Sequence, residues 1–284
     1  MTVLTGIILA AAVFFIIIMA ADCSRFIIKE YTCASKCLKK DITLVLLSDL
    51  HNKSFGKENK RLEAAIDGIC PDAVLSAGDI YTAAKGEDNG QAALFVSRLA
   101  EKYPFYYGLG NHEHKTKLYP GEFGNIYEPF AKKIKQAGAL ILENEKVFLP
   151  VFNMDIYGLL LERDYYRKFK PLNMEKGYLE KTLGKPDSNH FSLLIAHNPE
   201  YFKEYAAWGA DLVVSGHVHG GLMRLPFLGG VISPSLRLFP KYDGGLFKEK
   251  KSTMVLSRGL GTHTLPIRIF NPGELVVIHV KAGS

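Results

Sequence analysis

The stretch Pro104-Phe105-Tyr106-Tyr107-Gly108-Leu109-Gly110-Asn111-His112-Glu113 passes abruptly from apolar to polar. Residues 104–109 read as a buried strand. Gly110 to Glu113 then place an amide oxygen and an imidazole side by side in a polar loop at its end. Gly-Asn-His alone also suits an ordinary turn, but other groups repeat the arrangement. Asp49-Leu50-His51, Gly78-Asp79 and Gly216-His217-Val218-His219 each follow an apolar run, and His197 closes another. Strands that end in such polar groups, alternating with helices along the chain, point to a layered α/β domain.

The flanking patterns agree. Residues 42–47 form a near-continuous apolar run, as expected of a strand covered on both faces. Leu62, Ala65, Ile66 and Ile69 give helical spacing over residues 59–69, closed by Pro71. Residues 73–77 form a second strand, and residues 91–102 and 126–137 two further helices. Beyond them, residues 146–151 and 154–160 resemble antiparallel partners around Asn153. Residues 163–183 are charged, tyrosine-rich, and helical or looped. Residues 191–196, 211–215, 254–257 and 274–280 complete the strands. Two strand-rich sets imply two mixed β-sheets packed face to face with helices outside. The aromatic segment 103–107 reads as core.

Asp49 and His51 lie two apart, as do His217 and His219, so in extended chain each pair projects to one side. Asp79 offers a carboxylate that can bridge two cations, and Asn111 a neutral oxygen. This is a carboxylate, imidazole and amide set with no thiolate. It suits a pair of divalent ions such as Mn²⁺, Fe²⁺, Co²⁺ or Zn²⁺ rather than a closed structural zinc site.

In their order, Asp-x-His, Gly-Asp, Gly-Asn-His-Glu, His and Gly-His-x-His resemble the pattern of the calcineurin-like metallophosphoesterase superfamily, over roughly residues 42–280. The resemblance implies a dinuclear site. One metal is expected on Asp49, His51, Asp79 and His219, and the other on Asp79, Asn111, His197 and His217, with Asp79 shared. His112 becomes the expected general acid, with Glu113 orienting it. Gly216 to Gly221, Arg224-Leu225-Pro226 and Ser257 to Thr262 look like a bacterial membrane-associated phosphodiesterase branch, related to UDP-2,3-diacylglucosamine hydrolases. Arg224 and Arg258 are then candidate phosphate contacts, since a guanidinium binds phosphate in two-pronged fashion; each also suits a surface ion pair. Leu222 stands where that branch often has Gln. His114 and His263 could approach the site from loops, His190 reads as a surface residue, and His279 as packing or edge.

Residues 3–21 contain no charged side chain. A bilayer core needs roughly 20 apolar residues, and the run exceeds the ~7–15-residue core of a cleaved signal. Residues 1–22 are therefore expected as a retained single-pass transmembrane anchor, 23–40 as a basic juxtamembrane segment and 41–284 as the metallophosphoesterase domain. Arg25, Lys29, Lys36, Lys39 and Lys40 against Glu30 place that domain on the cytoplasmic side of the cell membrane by the positive-inside rule. Four scattered cysteines suit unpaired thiols, and Cys33 and Cys37 have no second pair to complete a metal site.

The 48% hydrophobic and 23% charged composition is globular, and a net charge of +6 is not by itself a nucleic-acid signature. The expected function is hydrolysis of a phosphodiester or pyrophosphate in a membrane or lipid-linked phosphoester substrate, with no nucleic-acid partner. The alternatives are a phosphomonoesterase or nuclease acting on soluble substrates, and a non-catalytic scaffold. A phosphoprotein phosphatase is excluded because Gly78-Asp79 continues as Ile80-Tyr81-Thr82-Ala83, not Val-Asp-Arg-Gly after one residue.

Overall fold

Alternate residues of the run Ile42–Leu47 serve two different cores: Leu44 and Leu46 join one apolar cluster, Val45 and Leu47 another. Successive strand side chains point to opposite faces, so a continuous apolar run requires cover on both. The computed structural model supplies that cover, and describes residues 3–167, 172–225, 227–232, 238–262 and 266–283.

The first half contains α1 (Val3–Ser24), β1 (Phe26–Ser35), β2 (Ile42–Leu47), α2 (Lys60–Ile69), β3 (Ala73–Ser76), α3 (Gly90–Lys102), β4 (Phe105–Gly108), α4 (Asn111–Leu118), α5 (Pro120–Phe123) and α6 (Tyr127–Gln136). Then come β5 (Leu140–Leu142), β6 (Glu145–Leu149), β7 (Met154–Leu159), α7 (Tyr178–Leu183), β8 (Phe191–Ala196), α8 (Phe202–Trp208) and β9 (Leu212–Ser215). A hairpin of β10 (Met223–Leu225) and β11 (Gly229–Ile232) precedes β12 (Gly245–Glu249), β13 (Ser252–Leu256) and β14 (Gly273–Ala282).

Two six-stranded mixed sheets result, ordered β1-β14-β2-β3-β4-β5 and β12-β13-β9-β8-β7-β6. Between them lie Leu44, Leu46, Leu75, Ile156, Leu193 and Val214. Helices α2, α3 and α6 cover the outer face of the first sheet through Leu62, Ile66, Phe95, Phe130 and Ile134. Phe202 and Tyr205 of α8 cover the second through Tyr157, Leu194 and Val213. The parallel strands β2, β3, β4, β8 and β9 all end toward the same polar loops. Crevices at the carboxyl ends of parallel strands are the usual ligand sites of open α/β sheets. The two packed sheets flanked by helices are those expected, and Phe105, Tyr106 and Tyr107 are core.

Residues 23–40 hold more than a juxtamembrane segment. Phe26–Ser35 pairs in parallel with β14 along its whole length, so the first sheet begins fifteen positions before the expected domain start at 41 (41 − 26). Its half-buried, charge-bearing pattern hides this from a search for apolar runs. Helix α1 is apolar and exposed along its length, with only Asp22 buried; it is long and apolar enough to cross a bilayer. Asp22 accepts a hydrogen bond from the Asn271 backbone N–H at 2.9 Å and pairs with Arg25 at 2.8 Å.

Removal of residues 1–40 takes away the outer partner of β14. The expected cost is a few kcal/mol, from about ten strand positions whose hydrogen bonds contribute roughly 0.5–1.5 kcal/mol each before hydration of the freed edge offsets part of it. A chain beginning at Asp22 keeps β1 and should unfold at nearly the full-length urea midpoint, whereas one beginning at Asp41 should unfold at a clearly lower one. Equal midpoints would show that β1 adds nothing.

Candidate active site

The polar loops fold sharply. Asp49, His51, Asp79, His217 and His219 all adopt left-handed backbone, with φ between 50° and 74°. Such conformations cost about 1–3 kcal/mol each for non-glycine residues and persist only where surroundings enforce them. Here they turn each side chain back toward one point. Glycine permits the close approach: a Cβ on Gly110 would run into the Asp79 carboxylate, and one on Gly216 into Ser48 and Asp49. Asn111 and His112 lie not in a loop, as expected, but on the first turn of α4.

The side chains converge. Nε2 of His51 and Nε2 of His219 are 3.2 Å apart, and the latter is 3.4 Å from Oδ1 of Asp49. His197 Nε2 lies 3.1 Å from Oδ2 of Asp79, and the same oxygen is 3.9 Å from His51 Nε2 and 4.0 Å from His112 Nε2. Outer contacts fix the rings. His197 Nδ1 is 2.6 Å from the Ala77 carbonyl, which only accepts, so Nδ1 donates and Nε2 is the nitrogen turned inward. His51 Nδ1 meets Thr82 Oγ1 at 3.2 Å. The His217 backbone N–H donates to both oxygens of Asp49, at 3.0 and 3.1 Å.

Glu113 does not orient His112. Its carboxylate accepts from the N–H groups of Asp79 and Ile80 at 2.8 Å, from Gly110 at 3.1 Å and from the Tyr107 hydroxyl at 2.7 Å. It therefore ties the end of β3 to the start of α4 and caps that helix. His112 is set by another partner. Ala83 N–H donates to its Nδ1 at 2.8 Å, which leaves the proton of the neutral ring on Nε2, facing Asp79.

Asp49 and Asp79 are 0% and 1% exposed, so both need positive charge nearby. Burial pushes Asp49 up to about 6, against the pull of His197. Burial also raises Asp79, but His197, His112 and His51 outweigh it and hold its carboxyl well below the usual range. Burial would lower His197, yet Asp79 and then Asp49 bring it up to about 9. Burial pushes Glu113 up to about 7, with Asp79 adding to it. Burial lowers His112, favouring its neutral form.

The residues fit divalent cations. Ligand atoms of Asp49, His51 and His219 lie within 4.8 Å of one another, as do those of Asp79, His197 and His217 and those of His51, Asp79 and His112. The buried amide oxygen of Asn111 accepts no hydrogen bond from the described residues. An unsatisfied buried acceptor is costly, and a cation is the partner such an oxygen lacks.

The other expected positions separate. Arg224 lies on β10, where Nη1 pairs with Asp243 at 3.2 Å and donates to the Gly220 carbonyl at 3.1 Å. Arg258 pairs through Nε with the buried Glu274. His114 is buried outside the three ligand groups. His190 stacks on Phe148 and pairs with Asp155, and His279 meets Thr43 from β14. His263 lies outside the described residues. Tyr166, unanticipated, packs its ring 5.2 Å from His217 and 6.1 Å from His197. Its sequence signal was a tyrosine-rich stretch with no distinguishing spacing.

A family model, calcineurin-like phosphoesterase, matches residues 42–221, and the chain belongs to that family of metal-dependent phosphoric ester hydrolases. An uncharacterized metallophosphoesterase of Campylobacter jejuni, Cj0846, is 29% identical over 257 residues, covering 86% of this chain and 60% of that protein. The chain thus spans about three fifths of that relative's length. YkuE of Bacillus subtilis, also an uncharacterized metallophosphoesterase, is 24% identical, with 84% and 79% covered. LpxG of Chlamydia muridarum, a UDP-2,3-diacylglucosamine pyrophosphatase, is 23% identical, with 84% and 83% covered. Among solved structures, TT1561 of Thermus thermophilus superimposes with a TM-score of 0.47 at 12% identity, covering 76% of this chain and 88% of that one.

Glu113→Gln turns an amide NH₂ toward a pocket of donors. Leaving one or two buried donors unsatisfied costs about 1–3 kcal/mol each. The variant should unfold at lower urea and bind Mn²⁺ more weakly by calorimetry, because the Asp79 loop loses its clamp. Unchanged midpoint and affinity would remove that role.

Proposed function

We propose that this chain hydrolyses a phosphodiester or pyrophosphate bond in a lipid-linked substrate, using two divalent cations held by the converging side chains. The observation that carries this reading is the convergence of three overlapping ligand groups, two of which contain Asp79. Asp49, His51 and His219 would hold one cation, and His197 and His217, joined by the unpartnered Asn111 oxygen, the other, with Asp79 shared between them. Bound divalent cations supply Lewis-acid polarisation and neutralise the charge of a transferring phosphoryl group.

The chain's own part is positioning and proton supply. His112 is neutral, carries its proton on Nε2 and faces the Asp79 carboxylate. In that state it can donate to a leaving oxygen. Its ring is held by the Ala83 N–H, which also opposes protonation at Nδ1. Arg224 and Arg258 remain the candidate phosphate contacts of this reading; each is paired with a carboxylate, Asp243 and Glu274, that a phosphate would have to displace.

Substrate class and location draw on α1 and on the printed activity of the chlamydial relative. We read α1 as a retained anchor, with the basic residues that follow it holding the domain on the cytoplasmic side.

Asp79→Asn should lose most bound Mn²⁺ and nearly all turnover of an aryl phosphodiester. Full occupancy with normal turnover would sink the shared-ligand assignment. His112→Ala should keep its metal and lose rate, by roughly 10²–10⁴-fold with a basic leaving group and far less with an activated aryl one. An equal loss on both substrates would point to positioning instead of proton donation. Protease protection in sealed inverted vesicles should find the C-terminal domain digestible; protection there would place it outside.

A further inference from the structure

Outside α1, four phenylalanine rings are exposed among the described residues: Phe148, Phe227, Phe239 and Phe270. Phe148 stacks on His190. The other three share two features. Each has left-handed backbone, with φ of 66°, 46° and 54°. All three also belong to one hydrogen-bonded unit. Phe227 sits beside Leu228 at the turn of the β10–β11 hairpin, Phe239 N–H donates to Val231 of β11, and Met223 of β10 bridges to Ile269, next to Phe270. Leu238, bridged to Ile232, adds a fifth large apolar side chain and is 67% exposed; Phe227 is fully exposed. Bulky residues rarely take left-handed backbone, so a strained conformation that also puts rings into water calls for something to receive them.

The occupant is indicated by α1. Phe270 packs edge-on against Phe15, with ring centroids 6.3 Å apart. At about 1.5 Å per residue, Phe15 sits about 9 Å inward of Ala21 along the apolar helix. The domain therefore reaches the level of the hydrocarbon if α1 spans a bilayer. Its orientation on the helix is fixed by Asp22, which accepts from the Asn271 N–H, and by the Cys23 thiol, which donates to the Pro266 carbonyl. The Asn271 side chain in turn donates to the carbonyls of His219 and Gly221 at 2.8 Å. The end of α1, the apolar unit and the His219 loop are one braced assembly.

We propose that Phe227, Leu228, Leu238, Phe239 and Phe270 form an apolar rim that inserts into the lipid bilayer beside α1 and sets the mouth of the active site on the membrane surface. This rests on the reading of α1 as an anchor and deepens the lipid-linked substrate reading. An amphiphile could then reach the site laterally, with its phosphate at headgroup level, without leaving the bilayer. Side chains buried about 5–10 Å into the headgroup and acyl boundary are typical of interfacial segments.

The test uses the full chain reconstituted in phosphatidylethanolamine and phosphatidylglycerol vesicles. Phe227→Trp adds one indole to the native Trp208, whose emission in the unaltered chain is the reference; Leu228→Trp serves if the first variant does not fold. The added indole should emit to the blue of an indole in water and be quenched by acyl chains brominated near the carbonyl. Water-like emission with no quenching beyond that of Trp208 would overturn the proposal. In a second arm, Phe227→Ser, Leu228→Ser and Phe239→Ser are combined. Turnover of a vesicle-borne phosphodiester should fall roughly tenfold or more, from apolar burial lost at three side chains, while turnover of a soluble aryl phosphodiester stays unchanged. Equal loss on both substrates would overturn the rim's role at the membrane. If the indole is quenched but the unaltered chain hydrolyses no phosphoester, the insertion stands and the functional reading fails alone.

Discussion

Two carboxylates buried side by side govern this structure. Asp49 and Asp79 have almost no contact with water, and the interior tolerates ionised groups only when they are paired and hydrogen-bonded. Every nearby feature answers that demand. Backbone N–H groups of His112 and His217 point at them, and the imidazoles of His51, His112, His197 and His219 crowd around their outer oxygens. A site so arranged attracts positive charge, and the raised basicity of His197 expresses the same attraction through a proton.

Holding those groups together requires local strain, and the two packed sheets supply the stiffness. Five of the side chains aimed at the centre stand on left-handed backbone. Isolated loops would relax. Here each loop leaves a strand buried on both faces, and Glu113 fastens two of them by a single side chain. Rigidity in the apolar layers and precision in the polar loops are therefore one property.

Much of this was legible in the residues, for a physical reason. Strands covered on both faces must be apolar throughout, so β2, β3, β4, β8 and β9 stand out, and the polar groups that end them mark the site. The segment Phe26–Ser35 was not legible, because an edge strand with one wet face carries Lys29, Glu30 and Thr32 and has no apolar run longer than Phe26-Ile27-Ile28. Glu113 was misread because proximity to His112 in sequence says nothing about which way a carboxylate turns at a helix start. Tyr166 was missed because nothing in a tyrosine-rich stretch shows which ring meets His217.

The outer edge of the first sheet has a consequence for how the molecule is made. Strand β1 and its partner β14 are far apart in the chain, Phe26 facing Gly273. A ribosome therefore releases the two halves of that pairing at widely separated times. Until β14 has been made, β2 lacks that neighbour and β1 has nothing to dock on. Contacts between distant segments form slowly, and unpaired strand edges invite misassociation. Closure of the sheet therefore waits on β14, and the nascent chain must hold β1 unpaired until that strand arrives.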